Sequence, residues 1–400
     1  MTELSPAIES IINRGVAEII DQRHLQTRLR RRQPLRVKLG IDPTNHHLHL
    51  GHAVTLRKLH QWQEAGHQAV LIIGDYTARV GDPSGRDSQR RQPTLKQINE
   101  YAAGYLAQAG RLINIRQAEV HYNSEWYERF SPEDLLKLIA PTTLQQLLVH
   151  ETFRRRLDQD QPLGLLELIY PLLQGYDSVM VKADVEIGGL DQKFNLLTGR
   201  DIQTQYQQEP QDIMLLPYLI GLDGKAKMGK SMNNYIALTD TAGEMFGKIM
   251  SIPDKLITHY FELATDCTDP ELAIFKKTMR DKKNNPRDLK AQLARAIVTL
   301  YHGQTAAEQA DREFVHVFRG KGLPKQIPHI SLRPGQHQIL NLLVSHQLVA
   351  SRSAGRRLIE QGGLKINSQV VSDWQANVTV KENDVIQLGR RTFVRIHLES

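Results

Sequence analysis

Short apolar runs alternate with longer stretches of helical periodicity in the first half of the chain. Residues 37–41 and 70–73 have the length and composition of buried strands. Residues 50 to about 65 carry the pattern of a helix, with Gly66 as its stop, and Asp42-Pro43-Thr44 forms a turn before it. Because short apolar strands that alternate with helices are typical of parallel sheets, the pattern predicts an α/β fold.

The pattern changes after about residue 240. Residues 285–288 (NPRD) supply a capping Asn, a Pro at the first helical position and an Asp in the first turn, and Gly303 closes the helix. Pro324, Pro328 and Pro334 mark a linker between residues 320 and 335. The sequence therefore predicts a helical domain, a linker and a small C-terminal unit. The helical period before Gly303 is carried by Leu289, Leu293, Ile297 and Leu300.

Composition narrows the class of protein. The 400 residues include 40% hydrophobic ones, but no run is long enough to cross a membrane. The N-terminus lacks the apolar block of a signal peptide, and the single cysteine, Cys267, excludes an internal disulfide and a Cys-based zinc site. We therefore expect a cytoplasmic protein without a membrane partner. A net charge of +7 favours a polyanionic partner.

Residues 49–52 (HLGH) follow the end of the first predicted strand. A helix that begins here points free N–H groups at a ligand above the sheet, and phosphate is the natural one. His49 and His52 share a helix face and can donate to phosphate oxygens, while Gly51 leaves room for a flat base. Two alternatives are a helix with surface histidines and a zinc site with His46 and His47. The second is disfavoured because no carboxylate or thiol stands at ligand spacing.

Residues 227–231 (KMGKS) lie in a loop rich in Lys, Gly and Asn. Two mobile ammonium groups, Lys227 and Lys230, suit a transition state in which charge builds on a pyrophosphate leaving group. The alternative is a solvated basic loop. Taken together, the two motifs resemble the ATP-handling motifs of class I aminoacyl-tRNA synthetases, although that family usually has Ser at the position of Gly229.

Tyr170, Gln174 and Asp177 are spaced four and three apart, so they share one face of a helix in largely apolar sequence. Buried polar groups need partners, and a substrate can supply them. Residues 188–192 (GGLDQ) follow, where Asp191 can accept a ribose hydroxyl. The alternative for the three polar residues is an ordinary surface face.

With these residues included, nearly the whole chain resembles the bacterial tyrosyl-tRNA synthetases. The resemblance implies that the Tyr170 group holds the substrate ammonium and phenol, with Asp177 reading the phenol. It places Asp82 at the substrate ammonium and puts Arg86 and Arg90 on the pyrophosphate during the transition state. Further positions implied for ATP or the substrate are Asp42, Gly51, Thr55, Asp191, Gln192, Lys230 and Ser231.

Lys38 departs from the family's better-known members, which carry a Tyr there that also touches the phenol. The string VKLGIDPT resembles a second bacterial subgroup instead. Lys38 is assigned to the tyrosine pocket, and two readings stay open: phenol recognition through two contacts, or mainly through Asp177. The alternative is a strand-end lysine that reaches solvent.

Residues 336–400 resemble a small RNA-binding domain first described in a ribosomal small-subunit protein. Arg352, Arg356 and Arg357 stand at helical spacing and would form one phosphate-facing edge, with Lys365 nearby. The alternative is a solvated helix face.

The resemblance implies a tyrosine-specific tRNA ligase that uses ATP with Mg²⁺, binds tRNA(Tyr), forms a homodimer and holds no protein-bound metal. The rivals are a tryptophan-specific enzyme, an inactive RNA-binding paralogue and a nucleotidyltransferase for a small acid. We expect a Rossmann-like catalytic domain with a dimer-interface insertion (1–235), an α-helical domain (236–322), a linker (323–335) and a small α+β RNA-binding domain (336–400).

Overall fold

The protein is represented by a computed structural model that describes residues 4–84, 93–281, 284–319, 327–389 and 392–399. The chain divides into two compact units, the first ending at Ala307 and the second beginning at Glu308. Each unit has its own sheet and its own core, and each is described separately below.

The first unit is built on a six-stranded sheet with the order β1-β6-β5-β2-β3-β4. All neighbouring strands are parallel except the edge pair of β1 and β6. The α/β prediction is confirmed, and both predicted strands are present with slightly earlier starts. The strands are β1 (Glu18–Ile20), β2 (Arg36–Ile41), β3 (Gln68–Ile73), β4 (Glu119–Tyr122), β5 (Val185–Gly189) and β6 (Asp212–Leu216).

Strands β3 and β6 are buried along nearly their whole length, as expected for a parallel sheet with helices on both faces. Before β6 the helices are α1 (Pro6–Asn13), α2 (Gln22–Arg30), α3 (Leu50–Glu64), α4 (Leu95–Ala109), α5 (Ser124–Tyr127), α6 (Pro132–Ile139), α7 (Leu144–Leu147), α8 (Glu151–Asp158), α9 (Leu165–Met180) and α10 (Lys193–Gln205). After β6 come α11 (Ala242–Met250), α12 (Ile257–Ala264), α13 (Asp269–Arg280), α14 (Pro286–His302) and α15 (Gln304–Arg319), which crosses the division between the units.

The predicted helix after β2 is confirmed at both ends. His49 caps α3, and its ring accepts a hydrogen bond from the Gly51 N–H at 3.1 Å. The helix ends at Glu64, and Gly66 follows with φ +87°, a conformation that favours glycine. Local sequence therefore fixes where this helix begins and ends.

Strands β2 and β5 are neighbours, although β3 and β4 come between them in the chain. The chain leaves β2 in one direction for β3 and β4, and returns to the other side of β2 at β5. Such a reversal opens a crevice beyond the carboxyl ends of the two strands, where ligands of α/β proteins bind.

Helices α9 and α10 pack closely through two glycines. A Cβ on Gly175 would lie 3.1 Å from the Gly199 Cα and 3.1 Å from an Ile202 side-chain carbon. Side chains there would push the helices apart. This contact sets the position of α9, which carries Tyr170, Gln174 and Asp177.

The helix predicted from the NPRD start is present as α14, with the Asn285 side chain accepting from the Arg287 N–H and Gly303 at φ +83°. Helix α12 is tied to the chain after β6: the Tyr260 hydroxyl donates to the Ile220 carbonyl at 2.6 Å. The helices from 242 to 302 thus belong to the same compact unit as the sheet, whereas the sequence places a domain boundary at 235/236.

The second unit contains a five-stranded sheet of order β10-β9-β12-β13-β7 and a two-stranded sheet of β8 and β11. Its apolar core includes Ile339, Leu343, Ile359 and Ile386. Its strands are β7 (His329–Leu332), β8 (Gly335–Gln338), β9 (Leu364–Ile366), β10 (Gln369–Val370), β11 (Asn377–Val380), β12 (Val385–Leu388) and β13 (Thr392–Leu398), and its helices are α16 (Ile339–Ser345) and α17 (Arg352–Glu360).

The linker predicted at 323–335 differs from the structure in its second half. Strand β7 lies within it and pairs in parallel with β13 at the edge of the sheet. Prolines at 328 and 334 flank this strand, which explains why the segment has the composition of a linker. Residues 320–326 lie outside the part of the chain that the structure describes.

No helix among the described residues combines the length and apolar character that crossing a bilayer requires.

Candidate functional site

A cavity of about 550 Å³ opens at the carboxyl ends of β2 and β5. Its size is typical of sites for small molecules and cofactors. Arg86 and Arg90 lie outside the described residues, so their positions stay a prediction. The other residues predicted for activation chemistry all line this cavity: Lys38, Asp42, His49, Gly51, His52, Thr55, Asp82, Tyr170, Gln174, Asp177, Asp191, Gln192, Lys227, Lys230 and Ser231.

His49 and His52 stand at the first turn of α3 with their ring centroids 3.9 Å apart. The Nδ1 of His49 accepts from the Gly51 N–H, and the Nδ1 of His52 accepts from the His49 N–H at 3.2 Å. Because Nδ1 accepts in both neutral rings, the proton of each ring sits on Nε2 and can be donated to a ligand. His49 is only 6% exposed, which argues against an ordinary surface histidine.

Both histidines stay neutral at physiological pH. Burial lowers the pKa of His52 to about 3, and the charges of Lys230 and Lys227 act in the same direction. Burial also lowers the pKa of His49 well below its usual range, with His52 and the two lysines adding to the effect. The pair therefore offers hydrogen-bond donors, while the lysines supply the positive charge.

The loop that carries KMGKS is tied to the start of α3. The Leu50 N–H donates to the Ile236 carbonyl at 3.0 Å, and the Leu238 N–H donates to the Leu48 carbonyl at 2.9 Å. Met228 is only 1% exposed and anchors the centre of the motif. A freely solvated loop is therefore the wrong description of this segment.

The two lysines of the loop contact different residues of the cavity. Lys227 donates to the Asp191 carboxylate, and its ammonium lies 4.7 Å from the centre of the Tyr218 ring. Lys230 donates to the Asn45 side chain. The structure thus brings the lysine pair and the histidine pair, far apart in sequence, to one cavity.

The inner end of the cavity is built around Asp177. Its carboxylate accepts from the Trp126 Nε1–H at 3.0 Å and from the Asn123 amide at 3.2 Å. Burial raises the pKa of Asp177 to about 6, while the Lys38 ammonium and these hydrogen bonds lower it. Each oxygen keeps a lone pair that can accept a hydroxyl from a ligand.

Tyr170 and Asp42 are joined directly, and a second side chain completes the group. The Tyr170 hydroxyl donates to one Asp42 oxygen at 2.8 Å, and the Thr77 hydroxyl donates to the other at 2.9 Å. Burial, followed by the negative charge of Asp82, raises the pKa of Asp42 to about 7. Gly74 makes room for this group, because a Cβ there would lie 2.0 Å from an Asp42 oxygen.

Asp82 stands at the centre of a second polar group. Its carboxylate accepts from the Gln192 amide at 2.7 Å and from the Ser84 hydroxyl at 2.7 Å. The Asn195 amide donates to the Gln174 side-chain oxygen at 3.0 Å and, at 3.4 Å, to Asp82. This group links the turn after β3 to α9 and α10.

Lys38 is fully buried, so the reading of a strand-end lysine that reaches solvent is wrong. Its ammonium lies 2.9 Å from a Glu186 oxygen on the neighbouring strand β5. It also donates to the Gln174 carbonyl at 3.0 Å and to the Ser178 hydroxyl at 2.7 Å. The three ammonium protons are thus all donated within the protein.

In the second unit, Arg352, Arg356 and Arg357 lie on α17 and are exposed. Arg356 donates to Glu360 at 2.7 Å and stacks over Trp374 at 4.8 Å from the ring centre. Lys365 lies on β9. The helical spacing predicted for the arginines is present.

Four residues of the cavity region were not predicted: Thr77, Asn123, Trp126 and Asn195. Asn123 directly follows β4. Polar residues that follow strand ends indicate a ligand site in a parallel sheet, so this position carries a usable signal. The strand itself is short and half-polar, so its sequence lacks the apolar run that predicts a buried strand. Thr77, Trp126 and Asn195 reach their partners only through tertiary packing.

One grouping with metal-ligand geometry occurs among the described residues, outside the cavity: Asp21, His24 and Asp212 have ligand-type atoms within 4.8 Å of one another. His24 and Asp212 are hydrogen-bonded to each other at 2.9 Å. Arg28 and Arg200 approach the two carboxylates at 3.9 and 3.7 Å. These cations make the group an ion-pair network.

Family profiles match both parts of the chain. Residues 30–319 match the profile described as tRNA synthetases class I (W and Y). Residues 305–394 match a profile described as the tyrosine–tRNA ligase SYY-like C-terminal domain. Together the two profiles span residues 30–394, which include every residue that lines the cavity.

Similar proteins are found in several bacteria. The tyrosine–tRNA ligase of Moorella thermoacetica is 44% identical and covers 97% of this chain and 95% of its own. That of Thermotoga maritima is 42% identical, with 96% of each chain covered.

Solved structures share the fold at lower identity. A C-terminally truncated mitochondrial tyrosyl-tRNA synthetase of Aspergillus nidulans matches with a TM-score of 0.66 at 20% identity, covering 78% of this chain and 94% of its own. The tyrosyl-tRNA synthetase of Archaeoglobus fulgidus, complexed with L-tyrosine, matches with a TM-score of 0.62 at 22% identity, covering 77% and 100%.

Proposed function

Because this chain belongs to the tyrosine–tRNA ligase family of class I tRNA synthetases, we propose that it joins tyrosine to tRNA(Tyr) in two steps at the cavity described above. In the first, a tyrosine carboxylate oxygen attacks the α-phosphorus of ATP, so that tyrosyl-adenylate forms and pyrophosphate leaves. In the second, a hydroxyl of the tRNA 3′-terminal adenosine attacks the tyrosyl carbonyl and AMP leaves.

One observation carries the proposal: a phosphate-binding edge and a hydroxyl-reading carboxylate share one cavity. His49 and His52 offer Nε2–H donors at the start of α3, where the helix dipole also favours negative charge. At the inner end, Asp177 offers acceptors within buried surroundings. A ligand that spans both ends would carry phosphate and a hydroxyl at opposite sides.

Tyrosine fits the inner end with its phenol on Asp177. Its ammonium would lie near Tyr170, Gln174 and Asp82, and the last two are linked through the Asn195 amide. A buried carboxylate that requires a hydroxyl partner can reject phenylalanine by about 10⁴–10⁵ without editing.

ATP fits the outer end between α3 and the KMGKS loop. Gly51 makes room for the His49 ring, because a Cβ there would lie 2.9 Å from two atoms of that ring. Asp191 lines the cavity, where a ribose hydroxyl could donate to it. Mg²⁺ would arrive with ATP, since it prefers phosphate oxygens and water to all-protein cages. Asp42, Thr55 and Ser231 line the path between the two ends.

No side chain needs to act as a covalent nucleophile. Catalysis would come from positioning and from stabilising the charge that develops on pyrophosphate. Lys227 and Lys230 contact Asp191 and Asn45, and we propose that they turn to the phosphates when ATP binds.

The partners and location are proposed on family grounds and on surface chemistry. Apolar side chains stand exposed between α6 and the start of α9, including Leu136 at 62% and Leu165 at 78% exposure, which supports a homodimer interface there. Exposed arginines on α17 support RNA contact by the second unit. We propose a cytoplasmic enzyme.

Amino-acid-dependent exchange of pyrophosphate into ATP tests the function. We expect exchange with tyrosine and at least about 10³-fold less with phenylalanine or tryptophan. Preference for tryptophan would establish the tryptophan-specific alternative, and no exchange with any amino acid would establish the inactive paralogue.

Asp177→Asn tests the pocket. Loss of a charge-assisted hydrogen bond costs about 1.5–3 kcal/mol, so kcat/KM for tyrosine should fall about 10- to 150-fold, while the KM for ATP changes little. Asp201→Asn, on the outer side of α10, is the matched control and should exchange like the unmodified protein. Unchanged tyrosine kinetics in Asp177→Asn would overturn the pocket assignment.

A further inference from the structure

Lys38 and Glu186 form a buried ion pair in the wall of the cavity. The two residues are register partners on β2 and β5, and their side chains are 0% and 1% exposed. Taking two charges out of water is expensive, and packed apolar residues would often be at least as stable in their place. A pair kept at this position therefore invites a functional explanation.

The ammonium of Lys38 has no proton left for a substrate. Its three donors are used by the Glu186 carboxylate at 2.9 Å, the Gln174 carbonyl at 3.0 Å and the Ser178 hydroxyl at 2.7 Å. Two of these partners belong to α9 and flank Asp177 in sequence. Lys38 thus fastens the segment of α9 that carries Asp177 to the centre of the sheet.

Glu186 is satisfied on both oxygens, so the pair does not depend on a ligand. Its second oxygen accepts from the Ser178 hydroxyl at 3.1 Å and from the Gln211 amide. Lys38 therefore contributes a positive charge in the wall of the cavity, with its ammonium protons already donated to protein groups.

We propose that Lys38 is a positioning residue for tyrosine recognition: without touching the substrate, its ammonium holds α9 in place and sets a positive charge near Asp177, so that Asp177 alone accepts the phenol hydroxyl. The inference rests on the proposed function. It distinguishes recognition of the phenol hydroxyl by both Lys38 and Asp177 from recognition by Asp177 alone. It makes Lys38 a specificity determinant that acts through another residue.

The electrostatic part of the proposal follows from what surrounds Asp177. Burial raises the pKa of its carboxyl to about 6, and Lys38 is the largest influence that lowers it. Without this ammonium, a larger fraction of Asp177 would be protonated near neutral pH and would lose its preference for a hydroxyl donor. The titratable and polar groups that face Asp177 are Lys38 and Asp42 from β2 and its end, Asn123, Trp126 and Tyr127 from the α5 region, and Tyr170 from α9.

The test is the pH dependence of kcat/KM for tyrosine in pyrophosphate exchange, compared between the unmodified protein and Lys38→Met. A nearby charge typically moves a carboxyl pKa by about 1 unit or more. A shift of about 1 unit lowers the rate about fivefold at pH 6 and about twofold at pH 7, and the two profiles meet near pH 8.5. The preference for tyrosine over phenylalanine should fall at pH 6 and recover at pH 8.5.

Controls separate this role from a merely structural one. Lys58→Met removes another buried lysine of the same unit, one that donates to the Ile11 and Arg14 carbonyls, and it should leave the acid limb of the profile in place. When Asp177 is already replaced by Asn, adding Lys38→Met should not shift the pH at which kcat/KM falls on the acidic side of the profile. If Lys38→Met does not fold, the double variant Lys38→Met with Glu186→Gln is measured instead. This double variant removes both charges, so that no unpaired carboxylate is left buried.

The inference is overturned if a folded variant without the Lys38 ammonium loses activity at the same acidic pH as the unmodified protein. In that case tyrosine-dependent exchange would still support the proposed function. Absence of tyrosine-dependent exchange in the unmodified protein at every pH would instead overturn the proposed function.

Discussion

Asp42 is a carboxyl group held in surroundings that oppose its charge. The negative charge of Asp82 adds to the effect of burial and raises the pKa of Asp42 to about 7. Tyr170 and Thr77 donate to it but carry no positive charge. Such a group lowers the stability of the folded protein, and a cationic ligand such as the ammonium of an amino acid would offset this cost.

This arrangement predicts a pH-dependent gain in stability for Asp42→Asn. Between the unfolded pKa near 4 and the folded value of about 7, the folded chain binds a proton that the unfolded chain has lost. The stability of the unmodified protein therefore falls through this window as pH rises, by about 2.6 kcal/mol between pH 5 and pH 8 from this group. Asn at this position removes the loss.

Urea denaturation at pH 5 and pH 8 measures the difference. The free energy of unfolding of Asp42→Asn, measured relative to the unmodified protein, should be higher at pH 8 than at pH 5. The variant should also lose exchange activity. Asp158→Asn, an exposed position on α8, should show no such pH difference. Equal effects of Asp42→Asn at both pH values would contradict the explanation.

At the scale of elements, the parts of the fold that follow local rules were predictable. The cap at His49, the stop at Gly66 and the Asn285-Pro286 start each satisfy backbone groups within a few residues, so their signals stand in the sequence itself. The face of α9 with Tyr170 and Asp177 could be found because it places polar groups in an apolar helix.

What the sequence alone could not supply were contacts made across elements. Lys38 has the sequence context of a strand-end lysine, and only the neighbour β5 supplies the Glu186 that allows its burial. Trp126 and Thr77 reach Asp177 and Asp42 through packing between segments far apart in the chain. Strand β7 was missed because its prolines carry the signal of a linker.

The close contact between α9 and α10 predicts a large effect of one methyl group. Gly175→Ala should cost about 1–3 kcal/mol, because the added carbon meets the Gly199 Cα at 3.1 Å and the helices must separate. Since Gln174 and Asp177 lie on the displaced helix, the KM for tyrosine should rise more than that for ATP. Urea denaturation and exchange kinetics measure the two effects.

Gly247→Ala is the matched control within a helix. No atom lies within 4 Å of a Cβ built at Gly247 on α11, so the change should stabilise the protein by about 0.5–1 kcal/mol. If Gly175→Ala were as stable as Gly247→Ala, close packing would not be what positions α9.

At the scale of the whole molecule, activation and RNA contact are assigned to different compact units. Every described residue of the cavity lies before Ala307, and the exposed arginines of α17 lie after Glu308. Within α17, Arg356 is engaged by Glu360 and Trp374. Among the described residues, Arg357 makes only one long contact, 3.4 Å, to the Ser353 carbonyl of its own helix. Arg352 and Arg357 are therefore the better candidates for phosphate contacts.

This division predicts that Arg352→Gln with Arg357→Gln weakens tRNA charging and spares pyrophosphate exchange. Phosphate contacts contribute affinity that depends on salt, and each lost contact reduces the slope of log affinity against log salt by about 0.7–0.9. The double variant should thus bind tRNA(Tyr) more weakly, with a slope shallower by about 1.4–1.8. Exchange without tRNA should continue at the unmodified rate, because no residue of the cavity is altered.

The effect of overall charge on RNA binding must be separated from the effect of where the charges lie, since the chain carries a net charge of +7. Arg333→Gln with Lys381→Gln removes the same charge from exposed positions of the same unit that lie outside α17. If α17 forms the contact edge, this control should change the salt slope far less than the α17 variant does. Equal slopes for the two double variants would mean that charge acts diffusely over the unit. A charging rate unaffected by the α17 variant at every salt concentration would remove α17 from the RNA interface.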